Sequence, residues 1–144
     1  MLGFQILKKF TKVKLPFNID YEQEYDNLQP LQKNNWFYFK EMLGGLENKI
    51  EVSIGNLESK KVTTKTYIID RYKEFGKEEL LERSVDNPKF KDISTNGEHL
   101  LFREQDDAAF VLNLKKDTIP LKIPIKIAYG DDASISEDGT KITV

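Results

Sequence analysis

The chain has 144 residues, of which 39% are hydrophobic and 32% are charged, and its formal net charge at pH 7 is −2. These values are typical of one soluble globular domain over residues 1–144, and they give no electrostatic reason to expect a nucleic acid or an anionic membrane as partner. The sequence contains no cysteine, which excludes disulfides, thiol nucleophiles and cysteine-based metal centres. The absence of cysteine fits a cytoplasmic or virion-associated protein. No apolar run approaches the roughly 18 residues of a transmembrane helix, so we expect none.

A first strand is predicted over residues 13–19 (VKLPFNI), where apolar residues alternate with polar residues and proline. Lysines precede this strand and acidic residues follow it. We interpret these charges as solvated side chains that need no partner, because opposite charges lie close by along the chain.

A helix is predicted from Leu31 to Leu46, after Pro30 and with Gly44-Gly45 as its left-handed C-cap. At about 100° per residue, the apolar side chains of this helix fall in one stripe that would face the core. The stripe consists of Leu31, Trp36, Phe39, Met42, Leu43 and Leu46.

Phe37 projects almost opposite the centre of that stripe, among Lys33, Lys40 and Glu41. An exposed phenylalanine is a typical anchor for a partner protein or a second subunit, and the three charged residues would form its polar rim. Alternatively, the helix is covered on both sides, or the segment is a strand. Four adjacent aromatic residues at positions 36–39 cannot all enter one core from a helix.

Two strands are predicted next, around Ile50 to Ile54 and from Val62 to Ile69, joined across residues 55–61. Residues 70–85 then predict a second helix, which Gly76 weakens in its middle.

Residues 119–129 (IPLKIPIKIAY) alternate strictly between apolar and other residues, which predicts one long strand with a single buried face. We expect Lys122 and Lys126 to be exposed and the apolar side chains to be buried. The side chains expected in the core are Leu121, Ile123, Ile125 and Ile127. Pro120 and Pro124 remove backbone donors from the same side, which predicts an edge strand protected against unwanted pairing.

Two hairpins complete the predicted elements. One joins strands over residues 99–103 and 108–114 through a turn at 105–107, and the other turns at Asp138-Gly139. The element order predicts a single α+β domain with a mostly antiparallel sheet, two helices and a long C-terminal edge strand.

Tyr129-Gly130-Asp131-Asp132, directly after the long strand, resembles the YGDD motif of viral RNA-dependent RNA polymerases. In that family the resemblance implies two aspartates at a hairpin turn that bind divalent ions for nucleotidyl transfer. The resemblance covers four residues, and the chain contains no Ser-Gly dipeptide of the kind the family also needs. A metal site on Asp131 and Asp132 is therefore the alternative to ordinary turn chemistry with two solvated acids.

Other catalytic signatures are absent from the sequence. His99 is the only histidine, and no P-loop or G-x-G-x-x-G motif occurs. We therefore expect no cofactor, and we favour a non-enzymatic protein over an enzyme.

The sequence favours a small, cofactor-free protein–protein interaction module of the immunity, adaptor or virion accessory type. Its partner would be another protein or a second copy of the chain, with no nucleic acid and no membrane. The expected contact residues are Phe37, Lys33, Lys40 and Glu41. The alternatives are a divalent-metal-dependent enzyme that uses Asp131 and Asp132, and a small-ligand-binding domain.

Overall fold

The computed structural model of the protein describes residues 27–42, 48–116 and 119–144. These ranges contain twelve strands and no α-helix. The strands are β1 (Leu28–Pro30), β2 (Asn35–Met42), β3 (Lys49–Asn56), β4 (Val62–Ile68), β5 (Tyr72–Glu74), β6 (Leu80–Leu81), β7 (Lys89–Ile93), β8 (His99–Arg103), β9 (Ala108–Asn113), β10 (Leu121–Lys126), β11 (Ser134–Ile135) and β12 (Ile142–Thr143). The fold is mostly β with several sheets, so the prediction of an α+β domain with two helices is wrong.

The first predicted helix is strand β2. Aromatic residues favour strands, and a period of two sorts the four adjacent aromatics onto two faces. Phe37 and Phe39 enter the main hydrophobic core, and Trp36 and Tyr38, also buried, lie on the opposite face. The predicted Gly44-Gly45 cap and the predicted strand over residues 13–19 lie outside the described residues.

The second predicted helix is replaced by strands β5 and β6, which pair antiparallel with each other. Gly76 lies between them with a φ of 81°, in the left-handed region that glycine adopts readily and a right-handed helix does not use. Strand β5 also pairs in parallel with β10, where the Lys73 amide donates to the Pro120 carbonyl at 3.0 Å. This long-range pairing overrides the local helix preference.

One sheet has four antiparallel strands in the order β1-β2-β3-β4. The predicted strands around residues 50–54 and 62–69 are confirmed as β3 and β4. Gly55 in β3 lies under the Trp36 ring, which occupies the space that a Cβ atom would need. A larger residue at this position would displace the indole.

The second sheet has six strands in the order β6-β5-β10-β9-β8-β7. Its β8–β9 hairpin confirms the prediction for residues 99–114, and Asp107 in the turn has a φ of 73°. Strand β10 pairs with β5 on one side and with β9 on the other. The prediction of a long C-terminal edge strand is therefore wrong.

Pro120 lies one residue before β10, and Pro124 is tolerated within this interior strand because of where β5 ends. The carbonyls of Pro120 and Lys122 accept hydrogen bonds from β5 and its next residue, Phe75. The nitrogen of Pro124 points to that same side, beyond the last residue of β5, so its missing donor costs no ladder bond. Opposite β9, the register shifts between Ile123 and Lys126.

The shift also changes which side chains of this segment are buried. Ile127 is buried and Lys126 is exposed, as predicted. Ile125 is 36% exposed, so the prediction that it is buried is wrong. Leu121 and Ile123, predicted to be buried, and Lys122, predicted to be exposed, are all half-buried, so these predictions are not confirmed.

The four- and six-stranded sheets pack face to face through aromatic rings. Phe37 and Phe39 from β2 lie 5.5 and 5.8 Å from the Phe90 ring of β7. Phe102 stacks on Phe110 at 5.6 Å within the six-stranded sheet. Each fully buried phenylalanine contributes roughly 1.5–3 kcal/mol to folding, so this layer is the main source of stability.

A third layer covers the other face of the six-stranded sheet. Leu101, Ala109, Ile127 and Ile135 form a second buried cluster there, with Ile135 supplied by the β11–β12 hairpin. This hairpin confirms the predicted turn at Asp138-Gly139. Hydrogen bonds from Ser136 and Thr140 hold the pKa of the Asp138 carboxyl well below its usual range.

Candidate functional site

The predicted contact patch around Phe37 is not formed. Phe37 is 0% exposed and lies in the core between the two large sheets. The predicted exposure of Phe37 is wrong because β2 alternates its side chains, and Phe37 shares the core face with Phe39.

The three charged residues predicted to surround Phe37 lie in different parts of the structure. Lys33 lies in the tight turn before β2 with a φ of 59°, and Lys40 is exposed on the face of β2 opposite Phe37. The Glu41 carboxylate forms an ion pair with the Lys89 ammonium of the six-stranded sheet, at a distance of 2.7 Å. The four residues therefore do not share one surface.

Asp131 and Asp132 lie in the exposed segment between β10 and β11. Strands β10 and β11 belong to different sheets, so the two aspartates are not at the tip of a strand–turn–strand hairpin. The Asp131 carboxylate accepts a hydrogen bond from the Ala128 amide at 2.9 Å, which closes the turn locally.

Lys91 of β7 fastens this turn to the sheet. Its ammonium group donates to the Tyr129 carbonyl at 3.0 Å and to the Asp131 carbonyl at 2.7 Å. Partial burial and the nearby Arg103 guanidinium lower the pKa of Lys91, while Asp131 and Asp132 act in the opposite direction. Within the three described ranges, no group of three or more histidine, aspartate or glutamate side chains could hold a metal ion. The metal site on the two aspartates stays a prediction.

Strand β4, at the edge of the four-stranded sheet, is exposed along most of its length. Six of its seven residues are exposed, and only Tyr67 is buried. The Tyr67 hydroxyl donates to the Leu114 carbonyl at 2.9 Å and ties that end of β4 to the other sheet. Thr63 and Lys65 point to the same side as Tyr67 but are exposed, so this half of β4 extends beyond the cover of the six-stranded sheet.

The backbone of β4 alternates between a paired and an open side. The Ile69 amide donates to the Asn48 carbonyl at 2.8 Å, and the Lys61 carbonyl accepts from the Asn56 amide at 3.0 Å. Odd-numbered residues therefore turn their N–H and C=O groups toward β3, and even-numbered residues turn theirs outward. The residues with outward groups are Val62, Thr64, Thr66 and Ile68. In the described part of the chain, no strand pairs with this side.

The other sheet edges are short, bulged or covered. Strand β1 has three residues and ends at Pro30, and β6 has two residues. Strand β7 contains a register shift between Phe90 and Asp92, and it contacts the β11–β12 hairpin. These are the devices by which sheets avoid unwanted strand pairing. Among the described edges, β4 is the long one that is neither bulged nor covered, although its exposed Lys65 is itself a charge that discourages unspecific strand pairing.

The residues along β4 are also basic. Residues 60–71 (KKVTTKTYIIDR) contain three lysines, one arginine and one aspartate, in a chain whose total charge is −2. Lys60, Lys61, Lys65 and Arg71 are all exposed. The surface formed by residues 60–68 is called the β4 edge below.

An open cleft lies at the end of β2 and β3. Its volume is about 360 Å³, and it is lined by Met42, Asn48, Lys49, Asp86, Asn87, Pro88 and Gln105. The side-chain amide of Asn48 donates to the Val85 carbonyl at 3.2 Å and helps to close one wall. The small-ligand pocket expected between a helix and the sheet has no helix to form it in the described ranges.

Comparison with protein-family models, with curated proteins and with solved structures gave no match for this chain. In the part of the chain that the structure describes, there is no helix of the length and apolar character needed to cross a membrane.

Sequence reasoning identified β4 as a strand but missed it as a candidate site. The run of β-branched residues, interrupted only by Lys65 and Tyr67, indicates a strand, and the adjacent Lys60-Lys61 pair was a usable signal. Whether a strand lies at an edge depends on the order of strands in the sheet, and a local pattern does not contain that order.

Proposed function

We propose that this protein is a non-catalytic protein-binding module that takes up an extended segment of its partner as an additional strand on the β4 edge. The observation that carries the proposal is the row of outward N–H and C=O groups on Val62, Thr64, Thr66 and Ile68. Main-chain hydrogen bonds to such a row provide affinity, and the flanking side chains provide specificity.

The shape of the β4 edge supports this function. The half of β4 that carries Thr63 and Lys65 extends beyond the six-stranded sheet, so that sheet does not obstruct an added strand there. Val62 and Ile68 are 37% and 43% exposed on the outer face and offer apolar contacts. The Ser53 and Thr64 hydroxyls lie 2.9 Å apart between them and keep that face flat and polar.

The experiment is a selection of binding peptides from a random library against the full-length chain, followed by amide hydrogen exchange of the complex. We expect selected peptides to slow the exchange of the Thr64 and Thr66 amides. Thr66→Pro removes one outward donor without breaking a bond to β3, and it should abolish binding.

Thr66→Val is the matched control, because it changes the side chain and keeps the amide. It should bind the selected peptides as the unmodified protein does. Peptides that protect amides elsewhere and leave Thr64 and Thr66 unchanged would contradict the proposed function, as would unchanged binding to the Thr66→Pro variant.

A further inference from the structure

We infer that the strand accepted by the β4 edge is acidic on one face and rich in β-branched residues on the other. The inference rests on the proposed function and adds the chemical class of the partner segment. Its starting point is the charge of residues 60–71, with four basic residues and one acidic residue.

These cations are not neutralised within the described chain. Other exposed lysines form ion pairs, as Lys77 does with Glu74 at 3.1 Å and Lys115 does with Glu98 at 2.7 Å. Lys60, Lys61 and Lys65 form no ion pair with another described residue. The Lys65 ammonium lies 5.0 Å from the centre of the Tyr67 ring, on the strand face that turns toward the core side.

The two faces of β4 therefore favour different side chains in an added strand. On one face, Lys65 lies directly beside the position of an added strand, with Lys60 and Lys61 at the strand's beginning. Opposite charges in such cross-strand pairs are favourable. On the outer face, Val62 and Ile68 flank two threonines, a surface on which β-branched side chains pack well.

A second copy of β4 is a poor occupant. It would bring the three lysines of a second β4 edge to an edge that is already basic, and like charges on neighbouring strands are destabilising. A nucleic acid would match the charge but not the backbone, because it cannot continue a β-ladder. The aromatic residue of β4, Tyr67, is buried at 3% exposure and offers no ring for base stacking.

The test uses three capped eight-residue peptides that alternate threonine with glutamate, with glutamine or with lysine. Binding to the full-length chain is measured by calorimetry, and the position of binding by exchange of the Thr64 and Thr66 amides. We expect the threonine–glutamate peptide to bind roughly fivefold more tightly than the glutamine peptide, and the lysine peptide to bind most weakly. The affinity advantage of the threonine–glutamate peptide should shrink as salt rises from about 0.05 to 0.5 M, since exposed charges are screened.

Reversing the charge of two lysines of the β4 edge tests whether these lysines determine which peptide binds. The double variant Lys61→Glu, Lys65→Glu should reverse the order of the three peptides. The matched variant Lys126→Glu, Lys141→Glu carries the same charge change at exposed positions outside β4 and should preserve the order.

The outcomes separate the two proposals. Equal affinity for all three peptides, with Thr64 and Thr66 protected, would overturn the acidic partner and leave strand addition intact. No protection of these amides by any peptide would overturn strand addition itself. Tighter binding of a single-stranded oligonucleotide than of the glutamate peptide, lost in the Lys61→Glu, Lys65→Glu variant, would show that the basic edge serves nucleic acid and would overturn both. Concentration-dependent dimers that Thr66→Pro disrupts would instead assign the edge to a second copy.

Discussion

Strands β4 and β7 each end one of the two large sheets, and they end them in opposite ways. Strand β7 is bulged between Phe90 and Asp92, and the Asp92 carboxylate accepts the Ile135 amide of the C-terminal hairpin at 2.8 Å. Strand β4 is regular in its pairing and exposed along six of its seven residues. Within residues 27–42, 48–116 and 119–144, the fold covers the edge at β7 and leaves the edge at β4 uncovered, which is why we propose the binding surface at β4.

The C-terminal hairpin is held against the β7 edge by polar contacts as well as apolar ones. Glu137 of the hairpin accepts hydrogen bonds from the Thr95 amide and hydroxyl, in the turn between β7 and β8. Lys91 holds the turn before the hairpin through two carbonyls. Residues 127–144 therefore act as a cover for one side of the six-stranded sheet.

The largest effect is expected in the core that both edges share. Phe102 is 0% exposed, so Phe102→Ala should lower the free energy of unfolding by about 3–5 kcal/mol through lost burial and a cavity. Urea denaturation measures the change. The matched control is Phe75→Ala, because Phe75 is 65% exposed and its loss should change stability by less than about 0.5 kcal/mol. Similar losses for the two variants would contradict the assignment of the core.

A smaller effect is expected from loosening the cover of β7. Ile135 is 7% exposed between the hairpin and the six-stranded sheet, and Ile135→Ala should cost about 2–4 kcal/mol. Amide exchange should accelerate along β7 and the hairpin more than along β3. Ile125→Ala, at a position 36% exposed, should cost clearly less. Uniform acceleration in both sheets would show that the hairpin is not a separate cover.

The pH dependence of stability reports on the same contact. Burial raises the pKa of the Asp92 carboxyl above its ordinary value of 3.8. The folded chain then binds this proton more tightly than the unfolded chain, so the Asp92 contribution to stability falls as pH rises through the window above 3.8. Asp92→Asn should remove this slope while keeping an acceptor for the Ile135 amide. Thermal unfolding between pH 3 and pH 7 measures the difference.

Asp138 provides a control, because its contribution to stability changes with pH in the opposite direction. Its carboxyl has a lowered pKa, so its contribution is present above the ordinary value of 3.8 and is lost as pH falls below it. Asp138→Asn should therefore reduce acid sensitivity, whereas Asp92→Asn should act at higher pH. Identical pH profiles for the two variants would contradict the buried position of Asp92.

The sequence predicted those elements whose pattern is local. Strand β3 follows from alternation, β4 from its run of β-branched residues, and the β8–β9 hairpin from turn residues between two apolar segments, all of them close together in the chain. Residues 70–85 were misassigned because β5 is stabilised by its pairing with β10, far away in the chain. The four aromatics of β2 were misassigned because a helix and a strand both provide an apolar face, and only the structure shows that Phe37 and Phe39 pack against a second sheet while Trp36 and Tyr38 are buried on the other face.

Pro120 and Pro124 show that the location of the candidate site also depends on pairing between distant segments. Their missing donors do lie on one side of the strand, as predicted, but β5 pairs with β10 on that same side, so the strand is interior. Pro124 is tolerated because β5 ends before it. The open edge lies instead at β4, whose sequence contains no proline to mark it. Edge and interior positions are properties of the sheet order, and the candidate site depends on that order.

The most direct test of the account is amide hydrogen exchange of the full-length chain without any partner. If the β4 edge is open, the Thr64 and Thr66 amides should exchange rapidly, because they point outward without an acceptor. The Lys65 and Tyr67 amides point toward β3 and should be protected, which gives an alternating pattern along one strand. Protection of Thr64 and Thr66 equal to that of Lys65 and Tyr67 would show that the edge is already occupied, and it would contradict the proposed binding surface.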